Sequence, residues 1–376
     1  MININNKLVN KIYKIYTSEN LDKVLDKAIS SKRLDKDDLS TLLEDKIRAN
    51  EIINTADIVN TTLNSDKVSY VVNRNINFTN ICHLNCRFCG YKRSAKSKDS
   101  FVLDYDEILK KIEEGYLIGI NEVCITGGIN SKLDADYYFD MIKIIKRNFP
   151  ALHIHAFSPQ EIFELANKTG FSYEKVIAIL IDNGLNSMPG TAAEILAPAL
   201  RKKICSDKIN SKQWTKIITT AHKAGVKTSA TILFGHIETN PDIAYHLDLI
   251  RNIQDETGGF TEFISLPFIP FKTSLRTSVK SNLKADDIFK FYAIFRLYLH
   301  NFKNIQVSWP KIGIDAAVRS LGCGINDFGG TLMEENITKS AGGNYGEYLS
   351  EKDIISLIRS AGKIPIRRDT LYNYLF

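Results

Sequence analysis

The sequence predicts an α/β protein built on a (β/α)8 barrel of the TIM type, preceded by a helical N-terminal extension. Three observations carry that expectation. Near residue 67 the chain changes from helix-spaced apolar residues to short β-branched runs; those runs then alternate with amphipathic helical stretches; and glycine, proline and polar residues stand where the runs end. Strands alternating with helices pair in parallel through right-handed crossovers, and about eight such units close a barrel. A partial barrel of about six units, open on one side, is the alternative. A chain of 376 residues with 44% hydrophobic content can bury a core of that size.

Each element follows from its residues. Leu21, Val24, Leu25 and Ala28 recur at helical spacing, as do Leu39, Leu42, Leu43 and Ile47, with a helix start near Asp38. These make residues 1–66 a helical extension. From 67 to 342 the barrel is expected, with strands at Asn73–Thr79, Glu122–Thr126, Leu152–Ala156, Gly184–Ser187, Lys227–Phe234, Glu262–Leu266 and Asn304–Ser308 and a weak one near Cys323–Asp327. Ile108 and Ile112 share one helical face; Trp214, Ile217, Ile218 and Ala221 make another, and Ile243, Leu247 and Ile250 a third. Residues 343–376 read as a helical tail packed on the barrel.

Charge and hydropathy exclude several classes. The net charge of +6 is dispersed, and the densest basic run, Lys92 to Lys98, reads as a solvated face, so no nucleic-acid partner is expected. No apolar stretch approaches the roughly 18 residues of a membrane span. Met1 to Asn6 lack the charged and apolar regions of a secretory leader, and a cytoplasmic location is expected.

The chemistry is announced by Cys82, Cys86 and Cys89, a C-x-x-x-C-x-x-C pattern in Asn80-Ile-Cys-His-Leu-Asn-Cys-Arg-Phe-Cys-Gly90. Three thiolates on one loop can hold three corners of a 4Fe-4S cube, which leaves the last iron open to a small chelating molecule. Structural zinc needs a closed set of ligands, usually two cysteine pairs. Cys124, Cys205 and Cys323 stand alone, and His83 would have to fold back from within the loop. A disulfide framework does not suit scattered cysteines in a chain of this length.

Barrel chemistry gathers where strands end. Gly127-Gly128 follow the second strand, and paired glycines allow backbone to approach a ligand closely. His153 and His155 fall on one face of the third strand, and His155, nearer the mouth, is the better site candidate. Thr191 and Glu194 after the fourth strand could bind ribose hydroxyls or an amino group, or merely cap the next helix. His236 and Glu238 follow the fifth strand. Glu262 is a candidate on the sixth, provided alternation does not turn it outward and Phe263 in. Trp309 follows the seventh, and Asn326 to Thr331 with Glu334 and Glu335 form the last turn.

The ordered set of these segments resembles the deazaflavin-forming branch of the radical S-adenosylmethionine (SAM) superfamily. It is most similar to the second-subunit family of 7,8-didemethyl-8-hydroxy-5-deazariboflavin synthase. The carrying segments are Asn73 to Asn80, the cysteine loop, HIHAFSP, MPGTAAEI, FGHIET, ETGGFTEFISLPF and DFGGTLMEENI before Ser340-Ala-Gly342, and Gly362 to Asp369 also fits. Gly90-Tyr-Lys-Arg93 departs from the Ala-Phe expected after the cluster. Menaquinone-pathway relatives, aminofutalosine synthase and dehypoxanthine futalosine cyclase, share much of the set and are the alternative reading.

The resemblance implies one 4Fe-4S cluster per chain on Cys82, Cys86 and Cys89, with SAM on the open iron. It places Phe88 near the adenine and Gly127 and Gly128 at the SAM amino and carboxylate groups, with Thr191 and Glu194 as further SAM contacts. His155, His236 and Glu262 remain for substrate. It also implies the reaction: SAM is cleaved to methionine and a 5'-deoxyadenosyl radical, which takes a hydrogen from the tyrosine amino group. The Cα–Cβ bond breaks, the 4-hydroxybenzyl fragment adds to 5-amino-6-(D-ribitylamino)uracil, and 2-iminoacetate leaves. A second radical SAM subunit then closes the ring, and a low-potential donor supplies electrons. A reading of another class, a non-catalytic electron-relay or binding subunit, would normally need four protein ligands.

Overall fold

Ten short runs become parallel strands in the computed structural model, which describes residues 19–279 and 283–375; the expectation about Met1 to Asn6 lies outside them. The strands are β1 (Lys67–Val71), β2 (Asn73–Asn77), β3 (Glu122–Thr126), β4 (His153–Ala156), β5 (Ser187–Met188), β6 (Lys227–Phe234), β7 (Phe260–Pro267), β8 (Ile305–Val307), β9 (Asp327–Gly330) and β10 (Ile364–Arg367). They form one sheet in the order β10-β1-β9-β8-β7-β6-β5-β4-β3-β2. From β2 to β9, sequence neighbours are sheet neighbours, as successive βα units require. The sheet curls because Val72 alone separates β1 from β2, which lie far apart in that order. The Thr331 amide donates to the Val71 carbonyl at 3.1 Å and the Asn75 amide to the Leu332 carbonyl at 2.6 Å, bringing the exit of β9 alongside both.

The crossover helices start where capping chemistry says they should. Asp104, Ser158 and Asn210 each accept from the third backbone amide of their helix, and Glu107, Glu161 and Gln213 reach back. Gly170 and Gly184 end helices in the left-handed conformation that glycine tolerates. Because Gly184 caps the helix Tyr173–Asn183, the fourth barrel strand begins at Ser187, later than expected. The apolar faces are buried as their periodicity requires, with Ile108, Ile112, Trp214, Ile217, Ile218, Ala221, Ile243, Leu247 and Ile250 in the core.

Helices at 19–29, Lys36–Glu44 and Ala49–Asn64 precede the sheet. The last two pack on the outer helices Asn240–Thr257 and Ala285–Tyr298. Ile47 lies beyond the end of its expected helix and is exposed. The C-terminal tail supplies the helix Glu351–Ser360 but also β10, a strand where only helix was expected. It pairs with β1 from Lys67↔Ile364 to Tyr70↔Arg367.

The inside of the sheet positions the site. Register places Asn75, Cys124, His155 and Ser187 at one level. Such barrels usually fill this space with branched aliphatics. Here Asn73, Asn75, Asn77, Glu122, Thr126, His155, Glu262 and Gln306 line a cavity instead.

Candidate active site

The cysteine loop leaves β2 and is pinned on both sides. The Cys82 amide donates to the Arg93 carbonyl (3.1 Å), the His83 amide to Ile129 (3.0 Å), the Arg87 amide to Ile204 (2.8 Å) and the Leu275 amide to Arg87 (2.8 Å). Asp207 accepts from both the Asn85 amide and its side chain. Gly128 is required by this packing: a Cβ there would lie 2.4 Å from the Ile81 carbonyl oxygen and 3.1 Å from Cys82 Cβ. At Gly127 a Cβ would strike the Phe78 ring at 2.6 Å. At Gly90, in the departing segment, a Cβ would lie 2.7 Å from the Ala341 Cα.

Cys82, Cys86 and Cys89 carry free thiols, and all open on a cavity of about 410 Å³. Burial pushes the Cys82 thiol up and the Cys86 thiol up to about 12, so only a bound cation would hold these groups as thiolates. Among the described residues no three His, Cys, Asp or Glu side chains converge as ligands of a single ion would. A cube takes its ligands at separate corners, as three thiols on one loop facing a cavity can supply. His83 is exposed and does not line the cavity.

Phe88, Gly127, Gly128, Thr191 and Glu194 line the same cavity as the cysteines. Ala192 and Glu194 have φ of 65° and 50°, a left-handed backbone uncommon for such residues and a mark of functional turns. Glu194 pairs with Lys208 at 2.6 Å, and that ammonium stands 5.4 Å from the Phe88 ring centre. Burial opposes the Lys208 charge, but Glu194 and the nearby cysteines outweigh it and raise its pKa. Glu161 stands behind the glycine turn, where it accepts from the Gly127 amide at 3.0 Å and from the Ser158 amide and hydroxyl. Burial raises its carboxyl to about 7 against those hydrogen bonds.

Deeper in, His155 and Glu262 face the cavity with Glu122, Gln306, Arg368 and Thr370. On β7 the inward residues are Glu262, Ile264 and Leu266, while Phe263 packs on Phe295 and Phe302 in the helical layer. His153 and His155 do share a face: both bond the Ser187 hydroxyl, at 2.7 and 2.6 Å. Burial pulls the His155 imidazole down to about 4, so it is neutral. Burial raises the Glu262 carboxyl to about 8, with Arg368 opposing, and its Oε2 is buried without a hydrogen-bond partner. Glu122 accepts from Asn73 (3.0 Å) and from the Thr370 hydroxyl (2.5 Å). Arg368 forms a fully buried pair with Asp327, Nε to Oδ2 at 2.6 Å.

His236 does not join these groups. Its ring is buried in the turn after β6, with Nδ1 3.0 Å from Glu238 and accepting from the Ile237 amide, and Nε2 at the Leu233 carbonyl. That turn uses both ring nitrogens, and His236 lines no part of the cavity. Glu122, Glu161, Lys208, Lys311 and Arg368 were not singled out from the sequence. Only Glu161 carried a signal, the Ser158-x-x-Glu161 capping box, and that signal speaks of the helix rather than of Gly127.

Comparison with known proteins agrees with this geometry. The model of the radical SAM superfamily matches residues 76–250, and that of the CofH/MqnC C-terminal region matches 257–376. A 5-amino-6-(D-ribitylamino)uracil--L-tyrosine 4-hydroxyphenyl transferase of Methanococcus maripaludis is 42% identical over 93% of this chain and 99% of its own. The enzyme of that name from Archaeoglobus fulgidus is 44% identical over 86% and 94%. Among solved structures, methylornithine synthase superposes with a TM-score of 0.71 at 20% identity, covering 92% of this chain and 97% of its own, a likeness of fold. Superfamily membership implies a 4Fe-4S cluster and SAM. With such identity over nearly its whole length, the chain belongs to the radical SAM superfamily, in the family of these 4-hydroxyphenyl transferases.

Proposed function

We propose that this chain is a cytoplasmic radical SAM transferase of deazaflavin biosynthesis. It joins the 4-hydroxybenzyl group of L-tyrosine to 5-amino-6-(D-ribitylamino)uracil and releases 2-iminoacetate, methionine and 5'-deoxyadenosine. The observation that carries this reading is the cavity itself. In a member of this family, three free thiols stand at one part of the cavity wall and an enclosed hydrogen-bonding floor at another.

Cys82, Cys86 and Cys89 would hold three irons of one cluster. When bound, cluster and SAM supply an electron and a 5'-deoxyadenosyl radical, the oxidant that takes hydrogen from the tyrosine amino group. The chain's own residues do the positioning. Phe88 offers an apolar face for adenine; the Gly127-Gly128 turn, held from behind by Glu161, lets backbone reach the methionyl end of SAM; Thr191 and Glu194 offer partners for ribose. Lys208 fixes the Glu194 carboxylate through their 2.6 Å ion pair. Below them, neutral His155 and protonated Glu262 present uncharged hydrogen-bonding groups to a polar substrate. A second radical SAM subunit would take the product on to the deazaflavin, and a low-potential protein would supply electrons.

Release of 5'-deoxyadenosine by the anaerobically reconstituted protein tests the reading. Tyrosine with the ribitylaminouracil should stimulate it several-fold. Stimulation by chorismate- or futalosine-derived compounds, and not by tyrosine, would move the chain to the menaquinone branch.

A further inference from the structure

Four cationic side chains line the cavity: Lys92, Lys208, Lys311 and Arg368. Three are occupied. Lys92 donates to the Asn85 side chain at 2.7 Å, Lys208 is paired with Glu194 at 2.6 Å, and Arg368 is locked on Asp327. Lys311 is different. Glu335 and Glu194 are near enough to raise its pKa, but burial outweighs them and lowers it. Among the described residues no hydrogen bond or ion pair reaches its ammonium. A partly buried ammonium that faces a cavity without a protein partner is open to a ligand of opposite charge.

Its backbone is fixed. Lys311 belongs to the single turn Trp309–Ile312 that follows β8, with Pro310 in its first positions. The Trp309 indole donates to the Gly330 carbonyl at 3.0 Å, and the Lys311 amide to Ser308 at 3.0 Å. In the sheet β8 lies between β7 and β9, several strands away from β3 and β5, whose exits carry Gly127-Gly128 and Thr191 to Glu194. Lys311 therefore reaches the cavity from a different strand end than Gly127-Gly128 and Thr191, with Glu335 its strongest acidic neighbour and Glu194 and Cys89 also within range of its charge.

We infer that Lys311 is the anchor for the α-carboxylate of the amino-acid substrate, an assignment that rests on the transferase reading above. Of the two substrates only the amino acid carries a carboxylate. The floor offers it no free cation, since Glu122 stands there and the one guanidinium is already paired with Asp327. The uncharged uracil with its hydroxylated chain suits that floor instead. SAM carries the other α-carboxylate in the cavity, and the test must separate the two sources.

The test uses the anaerobically reconstituted holoprotein and the variants Lys311→Met and Lys311→Arg. Calorimetric binding of tyrosine to the oxidised, SAM-loaded protein is measured without turnover. The change in the reduced-cluster paramagnetic resonance spectrum on adding SAM is measured in parallel. A charge-assisted hydrogen bond is lost in Lys311→Met, so tyrosine affinity should fall roughly ten- to hundredfold. The Arg variant should recover part of it, and the SAM-induced spectral change and the KM for the uracil should stay as in the native protein. Unchanged tyrosine affinity in Lys311→Met would overturn the assignment, as would loss of the SAM-induced change, which would give the lysine to the SAM carboxylate. Native protein that binds tyrosine through Lys311 yet forms no coupled product would instead refute the transferase reading and leave the anchor standing.

Discussion

Glu262 shows how the barrel sets the state of one residue. Its carboxyl is raised to about 8 by burial, so between the ordinary carboxylate range and that value the folded chain binds a proton that the unfolded chain does not. Stability must then fall as pH rises through this window, with the full cost present above about 8. Glu262→Gln imitates the protonated form. Thermal denaturation should show little difference from the native protein at pH 5 and a variant more stable by a few degrees at pH 9; equal differences at both would show that Glu262 does not titrate so. His236→Ala should do the reverse of what a substrate ligand would: it should lower Tm, because the turn loses Glu238's partner, and leave both substrate KM values within about twofold. Sequence reasoning found His155 and Glu262 because alternation on a strand is a local rule. It missed the destination of His236 because Glu238, two residues on, captures the ring. Lys208, Lys311 and Arg368 carried no local signal, since their meaning comes from partners far along the chain.

At the scale of elements, β10 is held by its pairing with β1 and by one buried ion pair at its end. Its end carries Arg368, whose side chain meets Asp327 of β9 with neither exposed. Removing one member of a buried pair leaves the other unpaired, at roughly 3–5 kcal/mol. Arg368→Met should therefore lower Tm markedly, and adding Asp327→Asn should recover much of the loss; additive losses in the double variant would deny the coupling. Strands β2, β3, β4, β6, β7 and β8 were legible because β-branched and apolar residues cluster there between turn signals. β10 was not, because Pro365 breaks the pattern and its residues are only half-buried, as proline at a sheet edge permits. β9 falls at Asp-Phe-Gly-Gly, later than the expected weak strand. Its composition is poor for a strand, and the position is set by fit: a Cβ at Gly330 would lie 2.0 Å from the Asn73 side-chain oxygen. β1 escaped notice because Lys67–Val71 runs into β2 across the single residue Val72, and only the tertiary pairing divides them.

The whole molecule is a parallel sheet curled around a cavity with polar side chains at its deep end and a thiol-bearing loop at its wall, and its family was legible because that loop and the strand ends keep their order along the chain. Cys86→Ala should abolish the iron–sulfur absorbance and all SAM cleavage. Cys323→Ala should preserve both, because Cys323 is buried beside the helix Ile314–Ser320, away from the cavity; a SAM-cleaving cluster in the Cys86 variant would contradict the ligand set. Whether this cavity joins the two molecules is read from mass analysis of one reaction. The reconstituted protein is incubated anaerobically with reductant, SAM, ring-labelled tyrosine and 5-amino-6-(D-ribitylamino)uracil. The expected product carries the labelled 4-hydroxybenzyl group bonded to the uracil and forms together with 5'-deoxyadenosine. Abundant 5'-deoxyadenosine with no label on the uracil would contradict it.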